Sequence, residues 1–132
     1  MSDQQKPDLD GWIRHYLGRV VNDRDVSAVD ELVSPEYVGS GHGWAPDRDK
    51  LREFYTWQAC TRPDWHIDVQ ETVEVSDWVA VRAHGGGTVT HDEAGQALQT
   101  PYRSAVEWLA AFRLVDGRLV ETRFLSVRDR IA

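Results

Sequence analysis

Apolar positions recur with helical spacing through the first part of the chain. Ile13, Tyr16, Leu17, Val20 and Val21 follow the i, i+3, i+4, i+7, i+8 pattern, which gives one helix a single apolar face from Asp8 onward. Asn22-Asp23 ends it. Val26, Val29, Leu32 and Val33 mark the inner side of a short second helix. Ser34-Pro35 stops that helix, because proline cannot continue the ladder and restricts the residue before it. Gly39 to Ala45 reads as a glycine-rich loop. Pro46 suits the first turn of a third helix, and Asp47 and Asp49 favour its positive end. Leu51, Phe54, Tyr55 and Gln58 form its inner face, and Pro63 closes the helical half.

The period then changes from 3.6 to two. Trp65, Ile67 and Val69 alternate with His66, Asp68 and Gln70, and Val73 and Val75 prolong the strand. Ser76-Asp77 is a tight turn, and Trp78 to Ala83 is the next strand. Gly85-Gly86-Gly87 suggests a bulge or sharp bend, and Asp92 to Gly95 a turn. Ser104 to Val115 is a long strand, Asp116-Gly117 a strong hairpin signal, and Arg118 to Val127 the last strand. Helices first and antiparallel strands after imply an α+β fold with helices on one face of a bent sheet.

The chain has 132 residues, enough for one domain over residues 8–132, with residues 1–7 as a disordered polar lead. A net charge of −7 with no basic stripe argues against nucleic acid. One cysteine, Cys60, excludes a disulfide framework, and it reads as buried or inert. With no apolar leader and no apolar run long enough to span a bilayer, the expected location is the cytoplasm, away from membranes. The six tryptophans serve either as core and interface mass or as the flat apolar wall of a pocket.

Three short motifs add specificity. They are Pro35-Glu36-Tyr37-Val38 after the second helix, Pro63-Asp64 before the first long strand, and the hairpin Phe112-Arg113-Leu114-Val115-Asp116-Gly117-Arg118-Leu119-Val120-Glu121. In this order they resemble the SnoaL-like polyketide cyclase family of the nuclear transport factor 2-like superfamily. The similarity runs from about Asp8 to Asp129. The resemblance implies a cone: three N-terminal helices packed on a strongly curved antiparallel or mixed sheet, with a small-molecule pocket between them. It also implies a homodimer through the convex sheet. Such proteins include ring cyclases, hydroxylases, dehydratases, epoxide hydrolases and non-catalytic binders, so fold alone does not settle function.

Family cyclases carry a histidine on the penultimate strand and an aspartate on the last, an acid–base pair for aldol ring closure. Alignment on Asp116-Gly117 puts Ala110 and Phe124 at those positions, and neither transfers a proton. The neighbours Leu109, Ala111 and Leu125 do no better. With Ala110 facing inward, alternation puts Val106, Trp108, Phe112 and Leu114 on the inner face of one strand. Val120, Thr122, Phe124 and Ser126 take the inner face of the other. The expected substrate wall is therefore Ile13, Leu17, Phe54, Gln58 and Trp65 from the front of the chain. Trp108, Ala110, Phe112, Thr122 and Phe124 complete it.

The catalytic candidates are Tyr16, Tyr37 and His42, each with a structural alternative. Tyr16 serves equally as core, Tyr37 as a structural hydrogen-bonding residue, and His42 as a solvated loop histidine. Trp44 and Tyr102 join His42 as candidates for the rim. The substrate class is an apolar polyketide-type molecule closed into a ring mainly by positioning, conceivably in a pericyclic step. The alternatives are a non-catalytic binder, or a hydrolase or hydroxylase using displaced residues such as Glu107, Arg123 or His42. His66-x-Asp68 with His84 or His91 falls short of an iron site, His84, His91, Asp92 and Glu93 lack zinc spacing, and Gly85-Gly86-Gly87-Thr88 lacks the lysine of a phosphate loop. No cofactor or metal is indicated.

Overall fold

The Asp8 side chain accepts a hydrogen bond from the Gly11 amide at 2.9 Å and so starts helix α1, Leu9–Leu17. The computed structural model describes residues 8–130, and the disordered lead expected over residues 1–7 lies outside the described residues. A single π-helical turn, Gly18–Asn22, extends α1 and buries both Val20 and Val21. Asn22 then grips the strand β2, His66–Val75, from its side chain, donating to the Ile67 carbonyl at 3.1 Å and accepting from the Ile67 amide at 2.8 Å. Helix α2 is Ser27–Leu32. Helix α3 is Arg48–Thr61, capped by Asp47, whose carboxylate accepts from the Lys50 amide at 2.8 Å. Pro46 therefore precedes the cap instead of occupying the first turn, and its carbonyl accepts from the Gly39 amide at 2.9 Å.

Ser34-Pro35 does end α2, but the chain enters a strand at once, and sequence reading treated this stretch only as a helix stop. Strand β1, Val33–Ser40, lies at a sheet edge, where a proline without an amide donor is tolerated. The other strands are β2 (His66–Val75), β3 (Trp78–His91), β4 (Ala97–Val115) and β5 (Arg118–Asp129). Their order is β1-β5-β4-β3-β2, with β1 parallel to β5 and every other pair antiparallel. The result is the mixed, curved sheet expected from the resemblance.

Strand β3 continues through Gly85-Gly86-Gly87, and its register with β4 is unbroken from Trp78 opposite Arg113 to Val89 opposite Tyr102. The expected bulge is absent there because these glycines provide clearance. A Cβ on Gly87 would lie 2.8 Å from Asp64 Oδ1 and 2.9 Å from Trp65 Cα, and one on Gly85 would lie 3.1 Å from the Trp65 indole. Trp65 thus lies flat against the strand.

The irregularities fall elsewhere, and each reverses which side chains face inward. A shift between Val69 and Glu71 in β2 sends Val73 and Val75 to the outer face, where they are exposed. In β5, Leu119 pairs with Leu114 and Glu121 with Arg113, which leaves Val120 as an extra residue. Leu119 is fully buried, so it takes the core position expected for Val120. A second shift, at Leu125, places Val127 opposite Trp108 and Asp129 opposite Val106, so these two replace Ser126 on the inner face.

The core between helices and sheet includes Ile13, Val29, Val33, Val79, Val81 and Leu119. The outer face carries a charge cluster in which Glu107 bonds Arg82, His84 and Arg128. No helix among the described residues is long and apolar enough to cross a membrane. Cys60, expected to be buried or inert, is exposed. Because the atoms facing Gly87 include Trp65 backbone, Gly87→Ala is expected to destabilise by about 1–3 kcal/mol. Gly86→Ala, which meets only the Ser104 carbonyl at 3.3 Å and Ala105 beyond it, should cost less. Thermal unfolding of the two variants checks the difference.

Candidate functional site

A cavity of about 460 Å³ opens between the helices and the inner face of the sheet. One wall is aromatic and continuous. Trp44 packs on Phe54 at 5.3 Å and on Phe124 at 5.1 Å between ring centroids, and Trp108 meets Phe112 at 6.2 Å. Phe54 belongs to the inner stripe of α3, Phe124 and Phe112 to facing strands, and Trp44 to the loop after β1. Trp65, seated over Gly85, adds a further flat surface.

Hydroxyl groups occupy the buried end. Tyr16 and Tyr55 share a hydrogen bond at 3.2 Å. The Tyr37 hydroxyl is buried without a hydrogen-bond partner, and the Thr122 hydroxyl lies near enough to lower its pKa slightly without closing a bond of ordinary geometry. Burial raises all three phenols, with Tyr55 pushed up to about 12 and Tyr16 and Tyr37 held well above the ordinary phenol value. They are therefore neutral donors at neutral pH, able to polarise a ligand oxygen and unable to act as bases.

Sequence reading anticipated much of this lining. Tyr16, Leu17, Tyr37, Phe54, Gln58 and Trp65 line the cavity. So do Trp108, Phe112, Thr122 and Phe124. Two expected wall residues do not. Ile13 is fully buried in the core behind the wall, and Ala110, directly opposite Phe124 across β4 and β5, is covered at 1% exposure. His42 is displaced as well: it sits exposed in the loop at φ 54° and does not line the cavity. Glu107 and Arg123, displaced residues considered for a hydrolase or hydroxylase, do not line the cavity. Glu107 lies in its charge cluster, and Arg123 stacks over Trp78 at 5.6 Å. His66 and Asp68 pair with each other at 3.2 Å on the exposed face.

Sequence reading did not take Val21, Leu51, Ile67, Ser104, Leu109 and Val127 as site residues, and it missed Tyr55, Arg62 and Asp129, which bear on the chemistry. Tyr55 stood on the inner stripe of α3 but was not taken as a site residue. Arg62 extends that stripe by one turn beyond Gln58, a spacing that would have revealed it had its charge not suggested solvent. Asp129 reaches the mouth only because of the shift at Leu125, for which the sequence carries no signal. Arg62 and Asp129 are the charged side chains of the lining, and no histidine is among it.

The phenols also set a limit on alkaline stability. Their pKa values in the folded state lie above the unfolded value of 10.0, so the folded state holds extra protons between the two. The phenols' contribution to stability is therefore expected to be level below about pH 10 and to be lost as pH rises from there toward about 12, with a shallower fall in Tyr55→Phe. Chemical denaturation along a pH series checks this.

Several solved structures share this architecture. IdmH of Streptomyces antibioticus, a candidate polyketide cyclase, is 24% identical, with 90% of this chain and 91% of that one covered at a TM-score of 0.70. AclR of Streptomyces galilaeus, a candidate hydroxylase, is 21% identical over 87% and 74% of the two chains at 0.72. A SnoaL-like polyketide cyclase of Agrobacterium tumefaciens is 11% identical over 93% of each chain at 0.75. At these identities the likeness establishes the fold. None of the curated proteins matches this sequence. The profile of the SnoaL-like polyketide cyclases matches residues 13–132, nearly the whole chain, and the protein belongs to that family.

Proposed function

We propose that this protein binds an apolar polyketide-type substrate in the cone and promotes ring closure by holding it in the reactive conformation. The observation that carries this reading is the character of the cavity. Its walls are aromatic, and its buried polar groups are neutral hydroxyls of Tyr16, Tyr37, Tyr55 and Thr122. No histidine–carboxylate pair lines it, so general acid–base catalysis has no obvious agent there. Positioning by itself can supply about 7–11 kcal/mol in favourable cases. A ring closure driven by conformation, including a pericyclic one, needs shape and one hydrogen bond. The unpartnered Tyr37 hydroxyl is the group placed to donate it.

Incubation with linear polyene and polyketone substrates, followed by mass spectrometry and NMR of the product, tests the proposal. Cyclised product formed at a rate flat from about pH 6 to 9 is expected, since no group titrating in that range would take part. Tyr37→Phe should lower kcat about tenfold, the effect of one neutral hydrogen bond made stronger in the transition state. A bell-shaped profile would defeat the positioning mechanism.

The same lack of an acid–base pair favours a second reading, a non-catalytic binder. Stoichiometric binding of those compounds without conversion would establish it.

We further propose a homodimer through the outer face of the sheet. Val73, Ala80 and Ala111 lie side by side across β2, β3 and β4, and Leu125 is exposed nearby. Light scattering is expected to give twice the 15.1 kDa chain mass, and Ala80→Glu to give the monomer. A cytoplasmic location suits Cys60, an exposed thiol without a partner.

A further inference from the structure

The interior of the cone is neutral, yet one cation lines it. Arg62 follows the last turn of α3, where its amide donates to the Gln58 carbonyl at 2.8 Å. Its guanidinium lies 4.6 Å from the centre of the Trp57 ring and 5.8 Å from that of Trp65. Two indole faces thus fix its direction. Its recorded hydrogen bond runs from Nη1 to the Thr61 hydroxyl at 3.1 Å, which leaves most of its five donors open.

In this it differs from several arginines of the chain. Arg19 is neutralised by Asp25 and Glu31, Arg82 by Glu71 and Glu107, and Arg128 by Glu107. Arg62 forms no ion pair with a carboxylate among the described residues. A half-buried guanidinium held by aromatic faces, with its fork unused and a ligand-sized cavity beside it, matches an anion on the ligand.

We propose that the ligand of this cavity is a free carboxylic acid, anchored at its carboxylate by Arg62 while its apolar body fills the cone. The inference rests on the proposed function and specifies its substrate class. Arg62 is the residue that caps α3, seven positions after Tyr55. The hydroxyls of Tyr16, Tyr55 and Tyr37 offer neutral hydrogen bonds to a further oxygen of the ligand, beside the charged contact at Arg62. Asp129 also lines the mouth and weakens the attraction for an anion without pairing with Arg62.

Calorimetric titration of the full chain with decanoate, methyl decanoate and decan-1-ol tests this. Decanoate is expected to bind about tenfold more tightly than the ester, in keeping with a charge-assisted bond in a partly desolvated site. Arg62→Met should remove that preference while leaving ester affinity in place, which shows that the pocket is still formed. Arg62→Lys should restore part of it, and Asp129→Asn should increase it. Equal binding of acid and ester, or equal weakening of both by Arg62→Met, would overturn the assignment of Arg62 while leaving the pocket reading intact. Failure of all three compounds to bind would overturn the pocket reading and this inference with it. Decyl phosphate binding far more tightly than decanoate would replace the carboxylate by a phosphate.

Discussion

A sheet that wraps around a ligand cannot keep perfect alternation along all its strands. Here extra residues at Gln70, Val120 and Leu125 shift the register of β2 and β5, and further irregularities lie in β1 between Val33 and Val38 and in the β3–β4 pairing beyond Val89. Each extra residue bends the strand and exchanges its two faces. Leu119 enters the core by this route, Val73 and Val75 leave it, and Val127 and Asp129 come to the mouth. The cavity, its lining and its polarity all depend on where those residues sit. The glycines of β3 make a complementary contribution: they let Trp65 lie against the strand, so the sheet gains an aromatic surface without a bulge.

Desolvation governs the chemistry that remains. Three tyrosine hydroxyls share the buried end, and burial holds each in its neutral form. Such groups donate hydrogen bonds and resist taking or losing a proton. Other charged residues lie outside the cavity. Glu107 is enclosed by Arg82, His84 and Arg128 on the outer face, and these hold its carboxyl below the usual range. Only at the mouth does charge return, in Arg62 and Asp129.

The two positions singled out from the hairpin alignment meet in the structure. Ala110 and Phe124 face each other across β4 and β5. The first is small and covered, and the second is part of the aromatic wall with Trp44 and Phe54. An aromatic group in that place favours apolar contact over proton transfer.

The sequence by itself determined the helices, the hairpin at Asp116-Gly117 and most of the cone's wall. These follow from local periodicity, from caps such as Asp8 and from turn residues, all encoded within a few neighbouring positions. Tyr16, Leu17, Phe54 and Gln58 were legible on helical faces for that reason, and Trp108 and Phe112 on a regular stretch of strand. Tertiary structure alone decided the rest. Strand β1 exists because β5 offers it a parallel edge, and Asp129 reaches the mouth because β5 bulges against β4. His42 stays outside because its loop turns at a left-handed residue. Pairing between distant strands sets each of these, and a register shift of one residue changes every side chain's face without leaving a mark in local composition.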